Sequence, residues 1–324
     1  MSAVHEIAIS GFGEGTNDLY DRARPSYPPQ ALQKIYEIIL ESSPDIKKGW
    51  KILEPGSGTG IFTKLLIEPP PPHSIPNPTP TQSQNSSTIN ENQKYPNFPI
   101  NTLISIEPSE GMRNQWKKSI FDKILSHHSN ELNNNKNIKV VNGNFEDFNE
   151  NELKKIGINN NEIDSIIIAQ AWHWCQNSEN ALKEIASYLK SNSPLILIWN
   201  LESFQPEWQK KLRLKYQNFD KGSPQYYKGL WKEMYNTNSF KELFKEKIEW
   251  STKWFIGMTE NQLIDRLFSK SYLTSAHLSS KDRENLEIEL RNIIKSAPHE
   301  WIDKEKGIFK YSYDTDIIYL RKRE

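Results

Sequence analysis

Residues 51–66 read KILEPGSGTGIFTKLL: a short apolar run, an acidic residue, glycines at 56, 58 and 60, and then a helix-like segment. Glycine at every second position lets a chain leave a strand, turn sharply and approach a ligand with no Cβ in the way. A helix that begins at the turn points its free N–H groups at whatever sits there. A dinucleotide site has the spacing G-x-G-x-x-G, with a pyrophosphate on the helix N-terminus. Here the spacing is G-x-G-x-G, and Glu54 stands two positions before the first glycine.

A carboxylate at that point repels a pyrophosphate and suits a cationic ligand, such as the α-ammonium and sulfonium of S-adenosylmethionine. The ribose of such a ligand calls for an acid at the end of the next strand, about 20 residues on in compact folds of this kind. Glu107, closing TLISIE, lies 47 residues beyond Gly60, but removing residues 69–99 leaves 16. Those 31 residues, PPPPHSIPNPTPTQSQNSSTINENQKYPNFP, lack the aliphatics of a core and read as a disordered surface insertion. With the insertion excised, Glu107 falls in register for a bidentate contact to both ribose hydroxyls.

Outward from the glycine turn, strand-length apolar runs alternate with amphipathic segments. The strands are expected over 50–53, 102–106, 138–141, 163–169 and 195–199, and the helices over 28–41, 61–67, 110–121 and 179–189. Near-continuous Ile, Leu and Val mark buried parallel strands. Alternation with helices implies an α/β fold with a doubly wound, mostly parallel, Rossmann-like sheet. Residues 201–245 turn aromatic and helical, and further strands are expected over 248–255 and 309–320, with helices over 260–269 and 280–295. The expected organisation is an N-terminal cofactor-closing segment (1–50), a cofactor-binding core (51–200) carrying the insertion 69–99, a helical substrate cap after the fifth strand (201–245), and a C-terminal part that completes a seven-stranded sheet (246–324).

Lys plus Arg (41) balance Asp plus Glu (41), so no global charge draws the chain to nucleic acid or to an anionic membrane. The single cysteine, Cys175, excludes an internal disulfide and a multi-cysteine zinc site and suits a reducing compartment. No apolar run approaches a membrane span and no basic-then-apolar leader opens the chain. The expectation is a cytoplasmic protein with a small-molecule partner, no nucleic acid, no membrane and no metal.

The segments FGEGTNDLYDRARPSYP, ILEPGSGTG, ISIEPSEGM, VNGNFEDF, IDSIIIAQAWHW, LILIWN and YSYDTDIIYLRK together resemble the class I S-adenosylmethionine-dependent methyltransferases. They are similar to the type-11 branch that includes the trans-aconitate methyltransferases. The resemblance runs in family order over most of the chain from Gly11 onward. It implies that Glu54, Gly56, Ser57, Gly58 and Gly60 line the methionine portion of the cofactor, Glu107 its ribose, and Met112 its adenine face. Asn144 and Phe145 fall at the positions that hold adenine N6 and N1, with the Asn144 amide oxygen able to accept from N6. Tyr20 and Arg24 are placed to meet the donor's carboxylate, and Gln170 completes the cofactor set.

His173, at the carboxyl end of the fourth strand, faces the ligand crevice and is the candidate catalytic residue, as a general base or as an imidazole held between Trp172 and Trp174. Enzymes of the fold that methylate exocyclic or amide nitrogens carry (N/D)-P-P-(Y/F) there, and this chain has AQAWHWC. The acceptor implied is a small organic molecule, with a carboxylate or hydroxyl oxygen favoured, and Trp208, Tyr227 and Trp231 are candidates for its wall. Cys175 reads as an ordinary buried thiol. The rival readings are an inert binding protein on the same fold and a nicotinamide-dependent oxidoreductase.

Overall fold

A computed structural model describes residues 23–70, 94–125 and 136–324. Tyr20 and most of the proline-rich insertion, 71–93, lie outside the described residues. Five strands, β1 (Trp50–Pro55), β2 (Ile100–Ile106), β3 (Asn137–Val141), β4 (Ser165–Ala169) and β5 (Pro194–Glu202), pair in parallel. Three more, β6 (Ile248–Met258), β7 (Trp301–Asp303) and β8 (Ile308–Arg321), complete a sheet of order β3-β2-β1-β4-β5-β8-β6. β8 runs antiparallel to both β5 and β6. The seven strands of that path match the expected sheet; the short β7, which pairs only with β8, makes an eighth.

Alternation along each strand divides the sheet between two cores. Ile52, Ile167, Ile196 and Ile198 pack on one face with α1 (Pro29–Ser42) and α2 (Ile61–Ile67). Their neighbours Leu53, Ile166, Ile168, Leu195, Leu197 and Trp199 pack on the other with α5 (Ser178–Tyr188) and α4 (Glu150–Lys155). Between β2 and β3, α3 (Glu110–Trp116) continues into π-helical turns, Lys117–Leu125. Central strands buried on both sides need the continuous apolar runs by which the sequence announces them.

Two boundaries differ from the expectation. Tyr95 and Phe98, counted with the insertion, are buried: the Tyr95 hydroxyl donates to Tyr27 O at 2.7 Å, and Phe98 packs edge-on to Trp50 and Tyr36. Two aromatics within a Pro/Asn-rich tract suffice to anchor its end. The segment 201–245 is split between two cores. Helix α6 (Glu207–Gln217) joins α8 (Glu260–Phe268), α9 (Ser280–Lys295) and the first half of β8 in a third apolar cluster. Trp231, Met234 and Phe244, around α7 (Asn238–Leu243), pack instead on the core beneath β5. Among the described residues no helix is long and apolar enough to cross a membrane.

Candidate active site

The carboxyl ends of β1, β2, β4 and β5 open into a cavity of about 540 Å³, where the switch in strand order of a doubly wound sheet leaves a crevice. At the end of β1 the three glycines adopt φ of +73°, +58° and +91°, a backbone region open to glycine at little cost. Their surroundings differ. A Cβ on Gly56 would lie 2.6 Å from Ala171 and 3.2 Å from the Phe145 ring, so this glycine leaves room for that ring. A Cβ on Gly58 would enter open space, and one on Gly60 would strike Trp116 at 2.9 Å. Gly56 and Gly58 line the cavity; Gly60 is the N-cap of α2 and serves helix packing, a correction to its expected ligand role.

Glu54 also stands off the cavity wall, with its Oε1 buried and without a hydrogen-bond partner among the described residues. It is 1% exposed beneath the loop, where it accepts from Thr63 Oγ1 at 2.5 Å and Ser105 Oγ at 3.0 Å. The Trp116 indole N–H in turn donates to both hydroxyls. Burial pushes the Glu54 carboxyl up to about 8, with the Thr63 and Ser105 hydrogen bonds opposing. The residue is a strut for the glycine turn.

Glu107, at the tip of β2, is on the wall and fixed by backbone: Gly58 N donates to Oε2 and Ser109 N to Oε1, both at 2.9 Å. Burial raises its pKa, the two N–H groups and Arg113 acting against that. Each oxygen keeps a lone pair for a ligand, which is the demand of a vicinal diol. Beside it the buried Ser57 Oγ has no hydrogen-bond partner among the described residues. Met112 and Phe145 supply apolar wall, with Phe145 braced edge-on by Trp172 at 5.6 Å. The Asn144 side-chain oxygen accepts from its own turn, at Glu146 N and Asp147 N, so the side chain has its NH₂ to offer and not the expected acceptor. Gln170 lines the cavity at φ +58°, an unusual conformation for a non-glycine residue, and its Nε2 donates to Asn200 O at 2.6 Å. These groups fit a nucleoside with a polar tail.

The other end of the cavity is built on charge. Glu202, the last residue of β5, receives Arg266 Nη2 and Lys270 Nζ on one carboxylate oxygen, each at 2.8 Å, and the Tyr216 hydroxyl on the other at 3.2 Å. Arg213 donates to the Glu202 backbone oxygen at 2.5 Å and stacks on Phe204. All four charged residues are more than nine-tenths buried. Burial raises the Glu202 carboxyl, but Arg266, Lys270 and Arg213 outweigh it and hold the group far below the usual carboxylate range. Lys270 shares that one carboxylate with Arg266, and burial brings its ammonium down to about 7, with Glu202 opposing. The buried Arg213 Nε has no hydrogen-bond partner among the described residues. Arg24 joins this end, with Nη2 3.4 Å from Ser269 O and its charge acting on Lys270 and His173. This end of the wall therefore carries four cations and one carboxylate.

His173 lines the cavity from the 3₁₀ turn Trp172–Trp174 after β4. Burial, then the Arg24 charge, push its imidazole down to about 3, which contradicts a general base poised at neutral pH. Tyr227 lines the cavity as expected; Trp208 and Trp231 do not, being packed into separate cores. Cys175 is half-buried against the core and not fully buried as expected; burial raises its thiol to about 12, which keeps it in the unreactive protonated form. Sequence reasoning passed over Glu202, Arg213 and Arg266; Lys270 lies in SKSY (269–272), a segment the family resemblance places beside the acceptor pocket without a role. One signal was available: Glu202 stands at a strand's carboxyl end, the same position that singles out His173.

Residues 91–197 match the sequence model of a family described as a methyltransferase domain. An uncharacterized methyltransferase-like protein of Schizosaccharomyces pombe is 27% identical over 295 residues, covering 91% of this chain and 90% of the relative. A second uncharacterized methyltransferase of that yeast is 23% identical, covering 86% and 85%. An uncharacterized methyltransferase of Mycobacterium bovis is 21% identical over 60% of this chain and 54% of its own length, so the match spans about half of that relative. Among solved structures, a putative type II methyltransferase from Anaeromyxobacter dehalogenans overlays with a TM-score of 0.49 at 14% identity, covering 93% of this chain and 97% of that one.

Proposed function

We propose that the chain is a class I methyltransferase and that it moves a methyl group from S-adenosylmethionine to an oxygen of a small anionic acceptor, a carboxylate in the first instance. The cofactor, when bound, supplies a methyl group on a positively charged sulfur that is open to in-line displacement. Glu107 would hold the ribose hydroxyls with the lone pairs that Gly58 and Ser109 leave free. Met112 and Phe145 would flank the adenine, Asn144 would offer it an N–H, and Ser57 would bind the methionine portion beside Gly56 and Gly58. Arg24, with Tyr20 as its expected companion, is the candidate for the donor's carboxylate.

The excess of buried cations around Glu202 is the observation that carries the acceptor class. Buried charges persist where they are paired, and Glu202 is one carboxylate among Arg213, Arg266 and Lys270. An acceptor carboxylate would complete the balance, and as an anion at neutral pH it needs no base. Tyr216, Tyr227 and Tyr272 enclose the same space and would exclude water. A hydroxyl acceptor is the second reading, favoured by Lys270, whose lowered pKa would let a neutral amine take a proton.

Transfer from labelled donor to a panel of carboxylic acids, phenols and alcohols tests both readings. The expected product is a methyl ester, cleaved by mild base. A base-stable ether as the sole product would overturn the carboxylate reading in favour of the second.

A further inference from the structure

His173 makes one hydrogen bond among the described residues, and its partner sets the ring's chemistry. The Trp199 indole Nε1–H, from the middle of β5, points at His173 Nδ1 over 3.2 Å. An indole nitrogen donates and never accepts, so Nδ1 must be the acceptor and the neutral ring carries its proton on Nε2. With Nδ1 turned to Trp199, the Nε2 edge is the one left to the cavity that His173 lines.

Trp199 is itself immobilised. It is fully buried, with Tyr226 at 4.7 Å and Trp231 at 4.9 Å between ring centroids. Those two rings are stacked on each other at 5.3 Å, the Trp231 indole donates to Tyr226 O, and the Tyr226 hydroxyl donates to Asp316 at 2.7 Å. Aromatic residues of the segment after β5 thus brace Trp199, and Trp199 faces the imidazole.

We propose that His173 is a positioning residue that presents a permanently neutral, fixed Nε2–H to one oxygen of the acceptor, with the tautomer set by Trp199. The proton on Nε2 stays where it is throughout, so His173 neither takes a proton from the acceptor nor gives one up. Its hydrogen bond to one carboxylate oxygen leaves the other directed at the methyl group. The electrostatic surroundings agree with a neutral ring. Arg24 faces it with a positive charge, Tyr226 lies behind Trp199 with a phenol raised by burial, and Cys175, two residues on, is a neutral thiol. The acceptor half of this inference rests on the methyl-transfer reading; the tautomer does not.

Long-range ¹⁵N–¹H NMR of the labelled full-length protein, with His173 assigned by its loss in His173→Gln, reads the tautomer directly. The expected pattern is a neutral Nε2–H ring that does not titrate between pH 5 and 8.5. A proton on Nδ1, or a midpoint near 6.5, would overturn the proposal. Trp199→Phe is expected to release the ring into a mixture of tautomers, and an unchanged spectrum would remove Trp199 from the account. With a methylated acceptor in hand, kcat/KM should fall roughly 100-fold in His173→Ala, about the worth of one hydrogen bond to a charged group. His173→Gln, which keeps an N–H donor, should recover at least about tenfold of that loss. A wild-type rate that falls below pH 6.5, with the fall abolished in His173→Gln, would instead make His173 a base. Failure of every acceptor would sink the methyl-transfer reading, and the tautomer seen by NMR would then decide whether Trp199 fixes the ring.

Discussion

The two ends of the cavity are made differently. At the proposed donor end the geometry is backbone geometry: glycines in the left-handed region and two N–H groups that fix Glu107, from chain segments that follow directly on β1 and β2. At the proposed acceptor end it is side-chain electrostatics, with Glu202, Arg213, Arg266 and Lys270 brought together from a strand end and two helical segments. Backbone geometry demands particular residues at fixed spacing, so the donor end is written as a motif. A buried ion cluster demands only charge balance at the end of folding, so its members are scattered along the chain with no fixed spacing.

The sharpest way to break this contrast is Glu202→Ala, which strands Arg266, Lys270 and Arg213 without their anion. Stability to urea should fall by about 3–5 kcal/mol, the usual result of removing one partner of a buried pair. A loss below about 1 kcal/mol, the range of exposed pairs, would mean that solvent already reaches the cluster. Next in size, Glu107→Ala should weaken S-adenosylhomocysteine binding by about 1.5–3 kcal/mol in calorimetry, for the loss of a charged hydrogen-bond acceptor. An unchanged affinity would take Glu107 out of the donor site. Lys270→Gln separates the two ends: the acceptor KM should rise about tenfold, roughly 1.4 kcal/mol, with S-adenosylhomocysteine affinity unaltered. A parallel loss of both would show the ends to be one site.

The smallest effect concerns Glu54. Its folded pKa, about 8, lies above the ordinary 4.5, so the native protein keeps a proton that the unfolded chain loses in between. Its stabilising contribution is complete below pH 4.5 and is lost as pH rises towards 8. Urea unfolding of Glu54→Gln against wild type at pH 5 and pH 7.5 should show the variant gaining relative stability at the higher pH. Cofactor affinity should shift by less than about threefold, under about 1 kcal/mol, as befits a residue beneath the loop and not on its wall. A larger loss of affinity would return Glu54 to the ligand.

The sheet was legible because its strands are buried on both faces, and the helix over 61–67 has the bounds the sequence suggests because the glycine turn starts it. The short α4 and three-residue β7 carry too few apolar residues to announce themselves. Gly56, Gly58 and Glu107, singled out by spacing, and Met112 and Phe145, singled out by the family resemblance, line the cavity wall. Glu54 and Gly60 belong to the same motif but lie off the wall, Glu54 held beneath the loop by Thr63 and Ser105 and Gly60 packed against Trp116 at the N-cap of α2. His173 was legible as a position and not as a chemistry, since its tautomer depends on Trp199, 26 residues on. Arg266 lies among ordinary amphipathic residues of α8 and Lys270 in the bend that follows it, where a buried cation looks like a surface one until the fold is known.

The donor end is the central claim, and titration calorimetry of the full-length protein with S-adenosylhomocysteine tests it most directly. A saturable, one-to-one heat that is lost or strongly weakened in Glu107→Ala is the predicted result. The absence of any heat in a folded wild-type sample would contradict it.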